Sequence, residues 1–419
     1  MKILHVSSFD LSGGAARSAY RIHRGLQEAG ITSQMLVQFK SVTDQSVTTS
    51  EGKLLARVRS FCNDLTLSNH SQSMFSSQWF PDAVASKVDG IDPDIVNINW
   101  ICNGYLQIET LSKLKRPLIF TLQDMWSFTG GCHYSLGCDR YTISCGNCPQ
   151  LQSHREADLS RSVWHRKAKS WKNLDLTVVA PSEWMATCAR ASSLFRDVRV
   201  EVIPFGLDTS VFKPIDPRIA RELLNLPQAK QLVLFGAIDA TGDTRKGFHL
   251  LQQALHHLLE KGWGDRIELV VFGASKPDKP LDLGFPVHYL GKLQDDLSLQ
   301  IAYAAADVMI APSIEEAFGQ TASESLACGT PVVVFANTGL ADIVDCHQNG
   351  YVAKYCDTAD LARGIAWVLE NSERHQRLRQ AAREKAVREY AMQVQAHRYL
   401  SLFHKILDSS QPIAGWSHS

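Results

Sequence analysis

Two glutamates stand eight positions apart in the stretch DVMIAPSIEEAFGQTASESLACGTPVVVF, which covers Asp307–Phe335. An apolar run enters a Pro-Ser turn, so Glu316 is expected in a loop, and Glu324 on the first turn of a helix beginning near Thr321. In parallel sheets such loops lie at the carboxyl ends of strands, where free N–H groups at a helix start can hold a phosphate. Two carboxylates beside an anion site suggest sugar hydroxyls as their partners.

Both glutamates also have a purely structural interpretation. Thr321 and Glu324 fit the T-x-x-E capping box, in which the acid only closes the start of the helix. Glu316 could be a solvated loop acid. Spacing alone does not decide between these interpretations and ligand binding.

Two further segments could approach an anion. Arg245 and Lys246 precede a helical pattern that follows the predicted strand Leu232–Gly236, although a plain surface helix start would look the same. Near the N-terminus, Gly13 and Gly14 separate a predicted strand from a helix. Glycines let a backbone approach a ligand closely, but this pair is not G-x-G-x-x-G and is also typical of a tight turn.

Four of the ten cysteines fall within seventeen residues, at Cys132, Cys138, Cys145 and Cys148. Four soft ligands on one loop suit a tetrahedral, structural zinc, because four cysteines close the coordination shell. The first spacing is loose, so a nearby histidine, His133 or His154, could replace one cysteine. Free thiols and disulfides are the alternatives.

The segment RSVWHRKAKSWK, Arg161–Lys172, holds five basic residues and no acid. Trp164, Ala168 and Trp171 recur at helical spacing. Such a helix could dock on anionic lipid, or it could bury its tryptophans and leave a solvated basic face.

Composition indicates a globular protein without a large net charge. The chain has 419 residues, 45% of them hydrophobic and 21% charged, and Lys plus Arg equal Asp plus Glu at 43 each. Nothing global therefore favours nucleic acid or an anionic membrane. No apolar run is long enough to span a bilayer and no secretory signal opens the chain, so we expect a cytoplasmic location with peripheral membrane contact left open.

Hydrophobic periodicity predicts an α/β fold with two successive doubly wound domains. We expect an N-terminal domain over residues 1–205, with a cysteine-rich loop at 130–150, a second domain over 206–392, and a last helical segment over 393–419. The predicted strands are Lys2–Ser8, Ser33–Gln38, Asp94–Asn99, Pro117–Leu122, Leu176–Ala180, Val198–Ile203, Leu232–Gly236, Ile267–Gly273, Val287–Leu290, Asp307–Ala311, Pro331–Phe335 and Gly350–Ala353. The predicted helices include Ala15–Ala29, Lys53–Leu65, Ile108–Lys115, Glu183–Ser193, Phe248–Lys261, Leu297–Ala305, Thr358–Leu369 and one amphipathic run over Ser372–Leu407.

The string E-x-F-G followed by S-E-S-L-A-C-G-T-P-V-V resembles the E-x7-E signature of the retaining glycosyltransferases of family 4. The cysteine-rich loop is similar to that of a colanic-acid-type subgroup. The resemblance implies a GT-B architecture, in which two Rossmann-like domains face a cleft and the C-terminal helix crosses back to the first domain. It also implies that a hexose passes from a UDP- or GDP-sugar to a hydroxyl of a glycan or lipid-linked acceptor, with retention and without a catalytic cofactor.

Site residues follow from the same resemblance. Glu316 would orient the sugar, Glu324 would hold the ribose, and Lys246 would stabilise the leaving diphosphate. The family's arginine normally falls near Ala237 and Ile238, and Arg245 would take its place here. The remaining donor-binding residues would be Gly13, Gly14, Phe318, Gly319, Gln320 and Thr321.

One position departs from the family pattern. Where many relatives read T-L-H-D-M-W, this chain has Gln123 before Asp124. Glutamine can donate a hydrogen bond but cannot act as a base, and a transfer in which the leaving diphosphate accepts the proton needs no base there. We count Gln123 and Asp124 among the catalytic candidates.

Two other functions remain compatible with the sequence. A nucleotide-sugar epimerase of the same architecture would turn over donor without an acceptor. A zinc-bearing protein that only binds nucleotide sugar would never consume it.

Overall fold

The computed structural model describes residues 1–65, 74–236, 242–274, 283–293 and 295–410. The described chain divides into two compact units. The first contains Met1–Ala180, Ala186–Ile203 and the segment from Gln393 onward, and the second contains Pro181–Met185 and Pro204–Met392.

The first unit is built on a parallel sheet in the order β3-β2-β1-β4-β5-β6-β7. Its strands are β1 (Lys2–Phe9), β2 (Thr32–Phe39), β3 (Val47–Thr49), β4 (Ile95–Ile98), β5 (Leu118–Thr121), β6 (Leu176–Ala180) and β7 (Arg199–Val202). The helices of this half of the chain are α1 (Gly14–Glu28), α2 (Lys53–Leu65), α3 (Val84–Ile91), α4 (Leu159–Trp171) and α5 (Glu183–Ala191).

The second unit has its own parallel sheet in the order β10-β9-β8-β11-β12-β13. Its strands are β8 (Gln231–Gly236), β9 (Ile267–Phe272), β10 (Val287–Gly291), β11 (Val308–Ala311), β12 (Val332–Phe335) and β13 (Gly350–Ala353). The helices that follow α5 are α6 (Pro217–Leu223), α7 (Phe248–Glu260), α8 (Asp296–Ala305), α9 (Gln320–Ala327), α10 (Thr358–Leu369), α11 (Ser372–Tyr390) and α12 (Met392–Ser410).

Both faces of the central strands are covered, which explains their unbroken apolar sequences. In β11, Met309 belongs to the core cluster on one face of the sheet. Val308 and Ile310 belong to the cluster on the other face. The predicted α/β class with two Rossmann-like domains is confirmed.

Strand order reverses once in each sheet, between β1 and β4 and between β8 and β11. Ligands of doubly wound sheets bind outside the carboxyl ends of the strands at such reversals. The loop with Gly13 and Gly14 follows β1, and the loop with Glu316 follows β11. Each predicted site loop therefore lies at the reversal of its own sheet.

The observed elements differ from the predicted ones in three places. The helical run predicted over Ser372–Leu407 is divided into two helices, because Ala391 is extended where Leu207 exchanges backbone hydrogen bonds with Tyr390 and Met392. The helix predicted at Ile108–Lys115 is a 3₁₀ helix. The short strand β3 was not predicted.

The last helix packs against the first unit, as predicted for the fold. Tyr399 and Phe403 are buried in the cluster that contains Ile3 and Ile119. The Tyr399 hydroxyl lies 2.9 Å from Thr121 Oγ1. Because Thr121 donates its own proton to Asn97, the tyrosine must donate to Thr121.

Candidate functional site

A short 3₁₀ turn presents the two cations predicted before α7. The Asp243 carboxylate accepts from Arg245 N at 3.0 Å and from Arg245 Nη2 at 2.9 Å. Gly247 follows with φ of +74°, and a Cβ there would lie 1.9 Å from the Pro312 carbonyl oxygen. Glycine is therefore required at this point, where the turn touches the end of β11.

The same turn is joined to the loop that carries Glu316. Ile314 N donates to the Arg245 carbonyl at 2.8 Å, and Arg245 Nη1 donates to the Glu315 carbonyl at 2.9 Å. Glu316 Oε2 lies 2.5 Å from Lys246 Nζ and 3.4 Å from Arg245 Nη1. The structure thus brings Arg245, Lys246 and Glu316 together in one partly buried cluster.

Helix α9 begins directly after this loop. Gly319 is its N-cap with φ of +101°, and no side chain caps the helix and no acid lies in its first turn. The backbone N–H groups of this first turn, which includes Gln320 and Thr321, form an end that favours an anion. Phe318 is different: its side chain is buried against Phe205 and Tyr390, so it supports the loop instead of lining a binding surface.

Glu324 lies on α9, and its side chain is buried. Its Oε2 accepts a hydrogen bond from the Tyr303 hydroxyl at 3.0 Å. Because α9 starts at Gln320 and has Gly319 as N-cap, Thr321 and Glu324 do not form the capping box that the spacing allowed. No local signal could have indicated Tyr303, which lies on α8.

In the first unit, Gly13 is the N-cap of α1, with φ of +87° and open space beside it, and Gly14 is the first helical residue. The first turn of α1 contains no acid.

Gln123 lies at the same end of the sheet, after β5. Its Oε1 accepts from Ser18 Oγ at 2.7 Å, and its Nε2 donates to Asn99 Oδ1 at 3.3 Å. Gln123 therefore connects α1 to the loop after β4.

Asp124 has three hydrogen-bond donors around its carboxylate. Oδ2 accepts from Trp100 Nε1 at 2.9 Å and from His133 Nδ1 at 2.6 Å. Oδ1 accepts from Trp126 N at 2.8 Å. Burial alone would raise the pKa of Asp124, but the charge and hydrogen bond of His133 and the other two donors hold the pKa below its usual value. Asp124 is thus placed to position its neighbours, and no sequence signal indicates the Trp100 contact.

His133 does not replace a cysteine as a zinc ligand. It is 1% exposed. Its Nδ1 faces Asp124, and its Nε2 lies 3.0 Å from Ser76 Oγ. Both ring nitrogens are therefore already paired.

The four clustered cysteines line one cavity of about 20 Å³, room for a single water or small ion. Gly130 N donates to Cys145 Sγ at 3.1 Å. Burial raises the pKa of the Cys145 thiol to about 11, although that N–H lowers it. Burial also raises the pKa values of Cys132 and Cys148. No group of three or more described His, Cys, Asp or Glu side chains is already arranged to hold a metal ion.

Helix α4 buries one of its basic residues and pairs another. Lys167 is buried over the Trp126 ring at 3.7 Å, and burial lowers its pKa to about 7. Arg166 pairs with Glu109 at 2.7 Å, and Trp171 is buried. Trp164 is half-buried, and Lys169 and Lys172 are exposed. These positions fit the alternative with packed tryptophans and a solvated basic face, and lipid docking by this helix stays a prediction.

Two family models match the chain. The model described as Glycosyltransferase Family 4 matches residues 12–211. The model described as Glycosyl transferases group 1 matches residues 230–385. Together they cover most of the chain and both of its sheets. Both halves of the chain are therefore similar to glycosyltransferases.

Curated relatives agree with these two matches. D-inositol 3-phosphate glycosyltransferase of Xylanimonas cellulosilytica is 35% identical over 202 residues, which cover 44% of this chain and 46% of the relative. The match thus spans less than half the length of that relative. The putative colanic acid biosynthesis glycosyl transferase WcaC of Escherichia coli K12 is 22% identical over 356 residues, covering 80% of this chain and 82% of WcaC.

Solved structures share the GT-B fold. Sucrose-phosphate synthase from Thermosynechococcus elongatus has a TM-score of 0.70 and 20% identity, and the match covers 98% of this chain and 100% of that chain. HepE of Anabaena, solved in complex with UDP and glucose, has a TM-score of 0.64 and 17% identity over 97% of this chain and 100% of HepE.

Gly247→Ala should destabilise the second unit and disturb the cation turn. The new Cβ would overlap the Pro312 oxygen, whereas Gly262, with φ of +77°, has nothing within 4 Å of its Cβ position. Gly262→Ala should therefore cost only the backbone strain, about 1 kcal/mol. Urea unfolding should show a clearly larger loss for Gly247→Ala. Equal losses at both positions would contradict the close contact.

Proposed function

We propose that this protein is a glycosyltransferase that transfers a hexose, with retention of configuration, from a UDP- or GDP-sugar to a hydroxyl of a glycan or lipid-linked acceptor. One observation carries the proposal. Lys246 and Arg245 are held beside Glu316, next to the acid-free first turn of α9. Cations and a helix N-terminus are what a leaving diphosphate requires.

The donor diphosphate would bind to the N–H groups of the Gly319–Thr321 backbone and to Lys246, with Arg245 as a second cation. In this proposal, its arrival replaces Glu316 as the partner of Lys246 and releases the Glu316 carboxylate to orient the sugar hydroxyls. Glu324 would hold the ribose. Stabilisation of the negative charge that develops on the leaving group would supply most of the rate.

The transfer step needs no protein base. The acceptor oxygen forms its bond to the anomeric carbon on the face from which the diphosphate oxygen departs, and the acceptor proton passes to that departing oxygen. The nucleoside diphosphate leaves as the bond to the sugar breaks. Gln123 would shape the sugar pocket and donate a hydrogen bond. Gly13 and Gly14 would allow the donor to approach the backbone closely. Asp124 would position His133 and Trp100.

The acceptor class is argued from the relatives. The names of the two curated relatives point to an inositol phosphate and to colanic acid biosynthesis. The WcaC match extends over most of both chains, so we favour a polysaccharide or lipid-linked oligosaccharide of the cell envelope, met at the inner face of the membrane. No helix of the described residues is long and apolar enough to cross that membrane.

A transfer assay tests the proposal. UDP- and GDP-hexoses are supplied with lipid-linked and free oligosaccharide acceptors, and NMR reads the anomeric configuration of the product. We expect nucleoside diphosphate release that depends on acceptor and a product with the donor's configuration. Donor turnover without acceptor would indicate an epimerase, and an inverted product would exclude the same-face transfer.

A separate structural proposal concerns Cys132, Cys138, Cys145 and Cys148, which we infer to bind one zinc. Their support is a shared cavity, four soft donors and the N–H that donates to Cys145 Sγ. Because no coordination shell is already formed among the described side chains, binding must draw the sulfurs together. It must also displace protons from thiols whose pKa values are raised.

Glu316→Gln should lower transfer by roughly 10²-fold with little change in melting temperature, because it removes a transition-state contact from a partly exposed loop. Glu324→Gln should weaken donor binding, while the amide oxygen of the new side chain still accepts from the Tyr303 hydroxyl. Calorimetric titration of donor and thermal unfolding separate the two effects. If Glu324→Gln lowers the melting temperature and leaves donor affinity unchanged, Glu324 is structural.

Gln123→Ala should reduce transfer, whereas Gln123→His should retain it, since either glutamine or histidine can donate the required hydrogen bond. Both variants are compared with wild type in the transfer assay. A wild type that binds donor and transfers nothing, together with activity restored by Gln123→His, would show a site that only binds.

Protein purified without added zinc should contain about one zinc per chain. Cys145→Ser should lose the metal and destabilise the first unit, while Cys346→Ser, at an exposed cysteine outside the cavity, should change neither. Metal affinity should fall as pH is lowered, because the thiols must deprotonate. Metal-free protein of undiminished stability would contradict the zinc proposal.

A further inference from the structure

Helix α2 exposes its large apolar residues and buries an arginine and an asparagine. Its inward face contains Ala56, Arg59 and Asn63, all buried. Arg59 holds the helix in place, because Nη1 pairs with Glu51 at 2.9 Å and Nη2 donates to the Tyr105 carbonyl at 2.8 Å. The ion pair and hydrogen bond of Arg59 therefore anchor this helix.

The outward face of α2 is a continuous apolar stripe. Leu54, Val58 and Phe61 recur at intervals of four and three, with Leu55 beside them. Leu54 is 78% exposed and Phe61 is 63% exposed, and the other two are also open to solvent. Large apolar side chains of this kind scatter singly over most surfaces, so four on one helix face mark an interaction surface.

Basic residues flank this stripe. Lys53 and Arg57 are exposed and lie side by side on one flank of the stripe. No acid occurs between Lys53 and Asn63, and the next residue of the helix is Asp64. A helix with leucines and a phenylalanine on one face and basic residues at its edge is suited to lie in the interface of an anionic bilayer.

We propose that α2 docks this protein on an anionic lipid surface through Leu54, Leu55, Val58 and Phe61, with Lys53 and Arg57 contacting the headgroups. The sequence left lipid docking by Arg161–Lys172 open, but in α4 Lys167 is buried and Arg166 is paired with Glu109. The apolar stripe of α2 is better suited to that role. This role rests on the proposed function, because it explains how the protein reaches a lipid-linked acceptor. Vesicle binding is measured without donor or acceptor, so it can fail independently of transfer.

Co-sedimentation with vesicles tests the proposal, using full-length protein with phosphatidylglycerol-containing vesicles and pure phosphatidylcholine vesicles. Wild type should bind the anionic vesicles and release them in high salt. Phe61→Glu should weaken binding by roughly tenfold, because it removes apolar area from the stripe, and Arg57→Glu by at least about fivefold. Leu223→Glu is the matched control, because Leu223 on α6 is 61% exposed and should leave binding unchanged.

Three outcomes would overturn the proposal. The first is a wild type that does not bind anionic vesicles, and the second is a loss of binding in Leu223→Glu as large as that in Phe61→Glu. The third is self-association of wild type, measured by light scattering, that Phe61→Glu abolishes while vesicle binding stays unchanged. That result would make the stripe a protein interface. Circular dichroism of each variant confirms folding, and Arg57→Glu, which keeps the whole apolar stripe, provides an independent second variant.

Discussion

The contact between the turn at Gly247 and the end of β11 determines the geometry of the candidate donor site. A left-handed glycine lets the backbone approach the Pro312 carbonyl to a distance that no side chain would allow. This approach places Lys246 Nζ 2.5 Å from Glu316 Oε2. The rest of the site depends on it, because α9 begins only a few residues after Glu316.

The electrostatics of that cluster suit a site that exchanges one anion for another. Arg245 and Lys246 are partly shielded from water, so each needs a negative partner, and in the described chain Asp243 and Glu316 supply it. A diphosphate carries more charge than one carboxylate and accepts bonds from the first turn of α9 as well. Opposite charges therefore hold the loop in place, and in the proposed function a donor would displace Glu316 from Lys246.

Much of the fold follows from local sequence signals. Buried parallel strands such as Val332–Phe335 are short apolar runs with turn residues at both ends, and these signals are strong. The partners of Glu324 and Asp124 were not predictable, because Tyr303 and Trp100 come from other elements and only the packed chain brings them close.

Side-chain burial on the helices was less predictable than the helices themselves. Helix α2 was predicted with its correct bounds, but the exposure of its large apolar side chains was not predicted. Arg59 is buried through polar contacts that hydrophobic periodicity does not reveal. Lys167 illustrates the same limit, since a lysine in a basic helix is ordinarily assigned to solvent, whereas here it is buried over Trp126.

The central claim is that the Lys246 cluster binds the diphosphate of a nucleotide sugar. Calorimetric titration of UDP and GDP into wild type, Lys246→Met and Lys261→Met tests it most directly, because Lys261 is an exposed lysine at the other end of α7. We predict that one nucleotide binds wild type and Lys261→Met equally, with affinity that falls as salt is raised, and binds Lys246→Met at least about tenfold more weakly. Equal binding to all three proteins, or no binding of either nucleotide, would contradict the claim.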